Sequence, residues 1–226
     1  MIQSGNSSVS FTVSVVPPPV NPSNIKYGRL YNWYAASNPL FAPTGWHVPT
    51  QAEFEILVAE LGLSAQGKLK ETGLIYWDSP NEGATNEVGF NGKGSGERYI
   101  ADFDSILQYA WHWSLSEADL LNALMLQLAY DLGSGNIINS ELKNSGFSVR
   151  LIKDDLILVP SLTDLDGNIY RVTKIGNQVW LADNWACTKL NNGVPIPNVT
   201  DNTAWAASTT GVYCNYGNDI SNVFLP

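Results

Sequence analysis

Apolar and polar positions alternate with period two in stretches such as residues 7–16 and 124–132, and one stretch has a clear helical period. In residues 51–61, Phe54, Leu57, Val58 and Leu61 recur at helical spacing and make one apolar stripe. Both ends of this stretch are marked. Thr50 and Glu53 stand at capping-box spacing: the hydroxyl can accept the N–H three residues on, while the carboxylate accepts the N–H of Thr50. Pro49 precedes the cap, where it cannot break the helix, and Gly62 offers a left-handed C-cap. The helix leads out of Gly45-Trp46-His47-Val48-Pro49, and its stripe requires a sheet beneath it.

Strand signals lie on both sides. Residues 7–16 alternate strictly and predict a half-buried strand, followed by the stiff spacer Pro17-Pro18-Pro19-Val20-Asn21-Pro22. This arm, residues 1–23, cannot fold alone. It is expected to serve attachment or oligomerisation, as an added edge strand, a contact with a partner chain, or the last strand of a preceding immunoglobulin-like domain. Residues 27–36 are aromatic and strand-like, and residues 67–71 read as a second, short helix. Residues 77–99 are rich in Gly, Asn, Pro and Ser, yet Trp77, Val88 and Phe90 punctuate them, which predicts a long ordered loop.

Residues 117–132 are helical by composition. Their second half also alternates, and Gly133-Ser134-Gly135 can turn the chain back along residues 136–142. Local propensity leaves helix and hairpin open here. Residues 147–152 form a strong strand signal. Residues 156–159 are apolar, Asp164-Leu165-Asp166-Gly167-Asn168 is a turn, and residues 169–172 and 178–181 read as strands. From Cys187 onward the chain is loop-like, with strand pieces at 212–216.

Composition narrows the possibilities. With 226 residues and 44% hydrophobic content, the chain can bury a real core, while charged residues make up only 15%. Asn, Ser, Thr and Gly fill the difference, as in loop-rich extracellular modules. A net charge of −9 with no basic patch excludes nucleic acid as a partner. No apolar run reaches transmembrane length, so no membrane insertion is expected. Met1-Ile2-Gln3-Ser4 has neither the basic start nor the apolar core of a signal peptide, and export is expected by another route, such as lysis with a virion or a leader outside this sequence. Eight Trp, ten Tyr and seven Phe are many for this length. They serve either a core or a binding surface.

Catalytic and metal signals are weak. His47 and His112 have no Cys or second His at ligand or triad spacing. His47 reads as a structural side chain that bonds the backbone, and His112 as exposed. Asp164-Leu165-Asp166-Gly167 lacks the glycine position and distant Glu of an EF-hand and reads as a plain turn. Gly92-Lys93-Gly94-Ser95-Gly96 has neither P-loop nor nucleophile-elbow spacing. Cys187 and Cys214 are either one disulfide or two free thiols, and make no zinc pattern. Neither a metal nor another cofactor is expected.

Five motifs carry a resemblance: Tyr27-Gly-Arg-Leu-Tyr-Asn-Trp-Tyr34, Pro43-Thr-Gly-Trp-His-Val-Pro-Thr50, Gly67-Lys-Leu-Lys-Glu-Thr-Gly73, Ala84-Thr-Asn-Glu-Val-Gly-Phe90 and Gly146-Phe-Ser-Val-Arg150. In this order they resemble the Fibrobacter succinogenes major paralogous domain, a family allied to the C-type lectin fold and found in surface and phage proteins of gut bacteria. The resemblance implies an α+β, C-type lectin-like fold: a small mixed antiparallel sheet, two helices and long irregular loops. Thr163-Asp-Leu-Asp-Gly-Asn-Ile-Tyr170, Lys174-Ile-Gly-Asn-Gln-Val-Trp-Leu-Ala-Asp-Asn184 and Tyr213-Cys-Asn-Tyr-Gly-Asn-Asp219 resemble the beginning of the same domain, but here follow its end. A circular permutation is therefore expected, with residues 24–226 one domain and 162–222 its usual first part. Residues 153–161 would be a short connection between neighbouring strands. The alternative is completion of domains by swapping between chains. Formylglycine-generating enzymes, which share this fold, act through a reactive cysteine pair that Cys187 and Cys214 do not match.

Within residues 109–143 the resemblance supplies a frame, which Trp113, Ser114, Ser116, Glu117, Ala123, Leu128, Gly135 and Lys143 fit. The frame selects strand, loop and hairpin over one long helix. Between its positions stand unusual residues, as in related proteins diversified by retroelements. A binding surface is expected from Tyr109, Trp111, His112, Leu115, Asp119, Leu120, Leu121, Asn122, Met125, Gln127, Tyr130, Asn136, Ile138 and Ser140; the bland alternative is a buried amphipathic segment. Trp46, His47, Thr50, Glu53, Trp113, Glu117, Arg150 and Trp180 are expected to be structural. The function expected is non-enzymatic recognition of a cell-surface protein or glycan. The setting would be extracellular or virion-associated, in a homo-oligomer or larger assembly. The alternative is a structural virion or surface-array subunit whose apolar patch is a subunit interface. An enzyme of polysaccharide breakdown lacks a carboxylate pair that can be placed.

Overall fold

The computed structural model describes residues 23–99, 102–135 and 137–225. The predicted strand at 7–16, its proline spacer and Asn136 lie outside them. In chain order the elements are β1 (Leu30–Tyr31), α1 (Trp33–Ala36), β2 (Trp46–His47), α2 (Gln51–Leu61), α3 (Ala65–Leu69), β3 (Ser95–Tyr99), β4 (Asp102–Ile106), β5 (Tyr109–Glu117), β6 (Asn122–Ala129), β7 (Ile138–Leu142), β8 (Ile152–Lys153), β9 (Ser161–Thr163), β10 (Ile169–Ile175), β11 (Gln178–Leu181), α4 (Asn202–Ala206) and β12 (Tyr213–Cys214). The architecture is α+β with strands predominating. One antiparallel sheet has the order β2-β8-β11-β10-β9, a second has β4-β3-β5-β6-β7, and β1 pairs with β12. In the second sheet the β3–β5 pair is parallel.

α2 has the predicted bounds and cap. Thr50 Oγ1 accepts the Glu53 N–H at 3.3 Å, and Glu53 Oε2 accepts the Thr50 N–H at 2.8 Å. Phe54, Leu57 and Leu61 are buried, and Phe54 stacks on Trp180 of β11 with ring centroids 5.6 Å apart. Full burial of each such side chain contributes about 1.5–3 kcal/mol. The helix end differs from expectation. Gly62 has φ 70° but ψ −157°, outside the left-handed helical well, and the chain passes directly into a 3₁₀ turn.

Two large clusters share the core. Phe54, Leu57, Trp77, Phe90, Leu126, Leu128 and Trp180 belong to the one beneath α2. Tyr31, Trp33, Trp113, Phe147, Tyr170 and Trp185 belong to the other. Each draws on residues before 153 and after 161.

Four local expectations are corrected. Residues 27–36 give only the two-residue β1, because the Asn32 side chain accepts the Ala35 N–H at 3.0 Å and caps α1. The second helix begins two residues early, at Ala65. Residues 147–151 are buried and extended but pair only through isolated bridges, Phe147 with Tyr31 and Ser148 with His112, since they pass between sheets rather than along one. β8 and β9 are not neighbours: β11 and β10 lie between them. Residues 154–160 therefore cross about 14 Å of sheet, within their extended reach of about 24 Å. They leave Leu156, Ile157 and Leu158 exposed.

Candidate functional site

The strands β5, β6 and β7 place the predicted surface residues. Register pairs Tyr109 with Ala129, Trp111 with Gln127, and Trp113 with Met125 on one face. Ala110 with Leu128 and His112 with Leu126 occupy the other. The first face packs into the Trp33–Phe147 cluster and the second into the α2 cluster. Both faces being covered, three predicted surface residues are interior: Trp111, His112 and Met125 are 9%, 0% and 4% exposed. An alternating pattern in sequence shows which residues share a face, but not that both faces will be roofed.

His112 donates from Nε2 to Asn184 Oδ1 at 3.1 Å and meets Phe90 edge-on. Burial, with the neighbouring Arg150 charge, pushes its pKa down to about 3, so the ring is neutral. Arg150, 1% exposed, donates to Asn184 Oδ1, Phe90 O, Asn91 O and Leu181 O at 2.5–3.1 Å. It thereby ties the 84–92 loop to the end of β11. Trp113 and Trp180 are fully buried, and the Trp113 indole donates to Tyr31 O at 2.8 Å.

The exposed part is the β5–β6 tip. Leu120 and Leu121 are 86% and 64% exposed. Asp119 Oδ1 accepts the N–H groups of Leu121 and Asn122 at 2.8 and 2.9 Å, and the Asn122 amide returns to the same carboxylate. These bonds, the Asn122 amide first, hold the Asp119 pKa below its ordinary value. Lys143 Nζ donates to Leu120 O at 3.0 Å, pairs with Glu117 at 3.2 Å and lies over the Trp33 ring. The tip is also anchored to α2: Leu115 N–H donates to Pro49 O at 2.8 Å, and Ser116 Oγ accepts the Gln51 N–H at 3.0 Å.

The remaining predicted residues divide among three places. Ile138, with Leu124 of β6, which was not among the predicted residues, and Gln51, Glu55, Val58 and Ala59 of α2, lines an open groove of about 520 Å³, and Ser140 pairs with Leu124 beside it. On the opposite face, half-buried Tyr109 stacks on Trp111 at 5.0 Å and Gln127 Oε1 accepts the Asn139 amide at 3.0 Å; Tyr130, just past the end of β6 and packed toward the α2 cluster, meets Tyr109 edge-on. Leu115 is half-buried and lines a second groove with Trp46 and Val48. The α2 residues of the first groove were missed in the sequence; Val58, at the margin of the apolar stripe, was their only signal.

His47 corrects a further expectation. It bonds carboxylates rather than backbone: Nε2 meets Glu53 Oε1 at 2.8 Å and Nδ1 meets Asp154 Oδ1 at 2.6 Å. The bond to Glu53 raises its pKa most, burial opposes this, and Asp154 adds to the rise. Trp46, 8% exposed, pairs with Lys153 across β2–β8. Cys187 and Cys214 are free, buried thiols, and burial pushes both up to about 12. Among the described residues, no group of three His, Cys, Asp or Glu side chains is arranged to hold a metal, and no helix is long and apolar enough to cross a membrane.

The pattern of the Fibrobacter succinogenes major domain matches residues 12–153. The chain belongs to that family. The match covers the capped helix α2, the loop tied by Arg150 and all of β5–β7, whereas β9–β12 fall outside it. No curated protein and no solved structure matches the chain. The family membership therefore describes the scaffold and leaves the role of its surface to be argued from geometry.

Proposed function

We propose that this member of the family is a non-enzymatic recognition module, displaying side chains from residues 109–142 on a circularly permuted C-type lectin-like fold. The observation that carries the reading is the β5–β6 tip. Two leucines stand in solvent there while their backbone is pinned by Asp119 and Lys143. Apolar anchors on a pre-ordered turn bury area against a partner with little ordering cost. Asp119, Leu120, Leu121 and Asn122 form the centre of this surface, and Ile138 and Ser140 extend it toward the α2 groove. Tyr109 and Gln127 lie on the other face of the strands and form a separate, lesser patch, which Tyr130, just beyond the end of β6 and packed toward the α2 cluster, borders. The partner is a cell-surface protein or glycan, and the setting a phage tail or bacterial surface structure.

Three pairings support the permutation. Ile25 bridges Phe224, β1 pairs with β12, and the β10–β11 hairpin completes the sheet that holds β2 and β8. First and last described segments thus lie side by side, as permutation at a surface loop requires. The test of the surface is binding to intact gut bacteria by the native chain and by Leu120→Asp/Leu121→Asp. Loss of binding is expected, and binding unaffected by the pair would sink the assignment. A neighbouring reverse transcriptase, with a near-copy of the 109–150 coding region differing only at adenines, would establish diversification. The exposed Leu156, Ile157 and Leu158 favour a second reading, a structural subunit with apolar interfaces. In that case light scattering finds a constant oligomer, which Leu156→Asp/Leu158→Asp dissolves.

A further inference from the structure

Most of the 12 cationic side chains of this chain are withdrawn from its surface. Arg29, Lys70, Lys93, Arg98, Lys143 and Arg150 are buried. Lys68, Lys153, Arg171 and Lys189 pair with Glu87, Asp155, Asp183 and Asp166. Lys26, before β1, and Lys174, on β10, remain, and neither lines the groove beside α2. The carboxylates around the β5–β6 tip stay outside. Glu55 is exposed in that groove, where the Gln51 amide meets it at 2.6 Å and no cation among the described residues pairs with it. Asp119 is exposed and bonds only within its own turn. Glu117 is exposed as well, but the ammonium it meets belongs to buried Lys143.

Between these carboxylates the surface is aliphatic: Val58, Ala59, Leu124 and Ile138 line the groove, and Leu120 and Leu121 stand at the tip. Groove and tip are continuous. The Gln51 N–H donates to Ser116 Oγ, beside Glu117, and Leu124 follows Asn122 by about 7 Å of strand. A phosphate, sulfate or carboxylate group would meet like charge there with no cation to offset it. The hydroxyls of a neutral glycan would lie against aliphatic side chains that return no hydrogen bond. A lysine or arginine, in contrast, gains carboxylates, while an apolar neighbour fills the groove. Resting on the reading of the tip as a recognition surface, we propose that its partner is a protein segment in which apolar residues are interspersed with Lys or Arg. The apolar side chains pack on Leu120, Leu121 and the groove, and the cations meet Glu55, Glu117 and Asp119.

The test is fluorescence anisotropy of a labelled peptide of repeated Leu-Lys-Ser with the full chain, at about 0.1 M salt, where the screening length is about 10 Å. Repeated Leu-Glu-Ser is the control and is expected not to bind. Glu55→Gln/Asp119→Asn leaves an oxygen for the N–H groups of Leu121 and Asn122. Each lost charge contact, at about 5 Å in water, is a factor of about four, so this pair is expected to raise Kd about tenfold. Glu82→Gln/Asp131→Asn removes as much exposed charge past the far end of β6, about 23 Å of strand from Asn122, and is expected to change Kd less than about twofold. Leu120→Ser/Leu121→Ser, which leaves the charge unchanged, is expected to weaken binding about tenfold or more. Absence of binding, equal binding of the Lys and Glu peptides, or an equal loss in the remote pair would overturn the proposal; the last would mean that only the general field of an acidic protein attracts the peptide. Intact gut bacteria separate this proposal from the reading beneath it. Binding that Leu120→Ser/Leu121→Ser abolishes, but that a soluble neutral glucan displaces and the Lys peptide does not, keeps the recognition surface and overturns the basic partner. Binding unaffected by the leucine changes removes the surface itself.

Discussion

Replacing Arg150 by methionine tests how this loop-rich fold is held together. The guanidinium is buried and serves four acceptors: three backbone carbonyls, of Phe90, Asn91 and Leu181, and the Asn184 side chain. It also lies 4.5 Å from the Phe90 ring centre. Hydrogen bonds to charged groups contribute about 1.5–3 kcal/mol each. Against them stands the desolvation of the cation, strong enough to push its pKa down to about 9. Methionine removes that desolvation but leaves buried acceptors without donors, so the net loss is expected near the 3–5 kcal/mol typical of breaking a buried charged network. For a domain of ordinary stability, about 5–15 kcal/mol, this is a large fraction. Urea unfolding followed by tryptophan fluorescence measures it, and hydrogen exchange shows where it acts. Residues 84–92 are expected to lose protection first, because Arg150 is what ties them to β11. Arg150→Lys keeps the charge but not the fork, and is expected to recover only part of the loss. A cost for Arg150→Met below about 1 kcal/mol, or exchange in 84–92 no faster than in α2, would refute the reasoning.

Other expectations rest on single contacts. Thr50→Ala removes the cap of α2 and is expected to cost about 1 kcal/mol in urea unfolding. Gly67→Ala improves helix propensity, yet its Cβ would lie 2.0 Å from Gly83 O; a net loss of about 1–3 kcal/mol is expected, and a gain in thermal stability would contradict it. His47 has a raised folded pKa, so its stabilisation is complete below the ordinary histidine value of 6.5 and fades as pH rises through the folded value. Glu53 behaves oppositely. Burial opposes the shift, but bonds from His47 and Thr50 hold its pKa below the ordinary 4.5, and its contribution fades as pH falls through the lowered value. His47→Gln is expected to flatten the loss of stability above pH 6.5, as read from unfolding midpoints across pH. Leu120→Asp/Leu121→Asp is expected to change stability by no more than about 0.5 kcal/mol, since both side chains are exposed.

Local chemistry determined what could be read from the sequence alone. The capping box and stripe fixed α2 to the residue, because a cap and an i, i+3, i+4, i+7 pattern act within one turn or two. The same holds for the Asp164 turn and for β11, while β10 starts where expected but runs three residues past the predicted 169–172. The hairpin at 133–135 needed more than propensity: the frame carried by the family resemblance chose strands over helix there. Only the tertiary structure decided which predicted surface residues meet solvent. Trp111, His112 and Met125 alternate as surface residues would, but residues 143–148 with Trp33 roof one face of β5–β6 and α2 roofs the other. Nor could spacing show that His47 joins Glu53 to Asp154 over a hundred residues away. Those facts depend on which distant segments are brought together by the burial of aromatic area, and burial is non-directional. It sets how much apolar surface must be covered, while the fold as a whole sets what covers it.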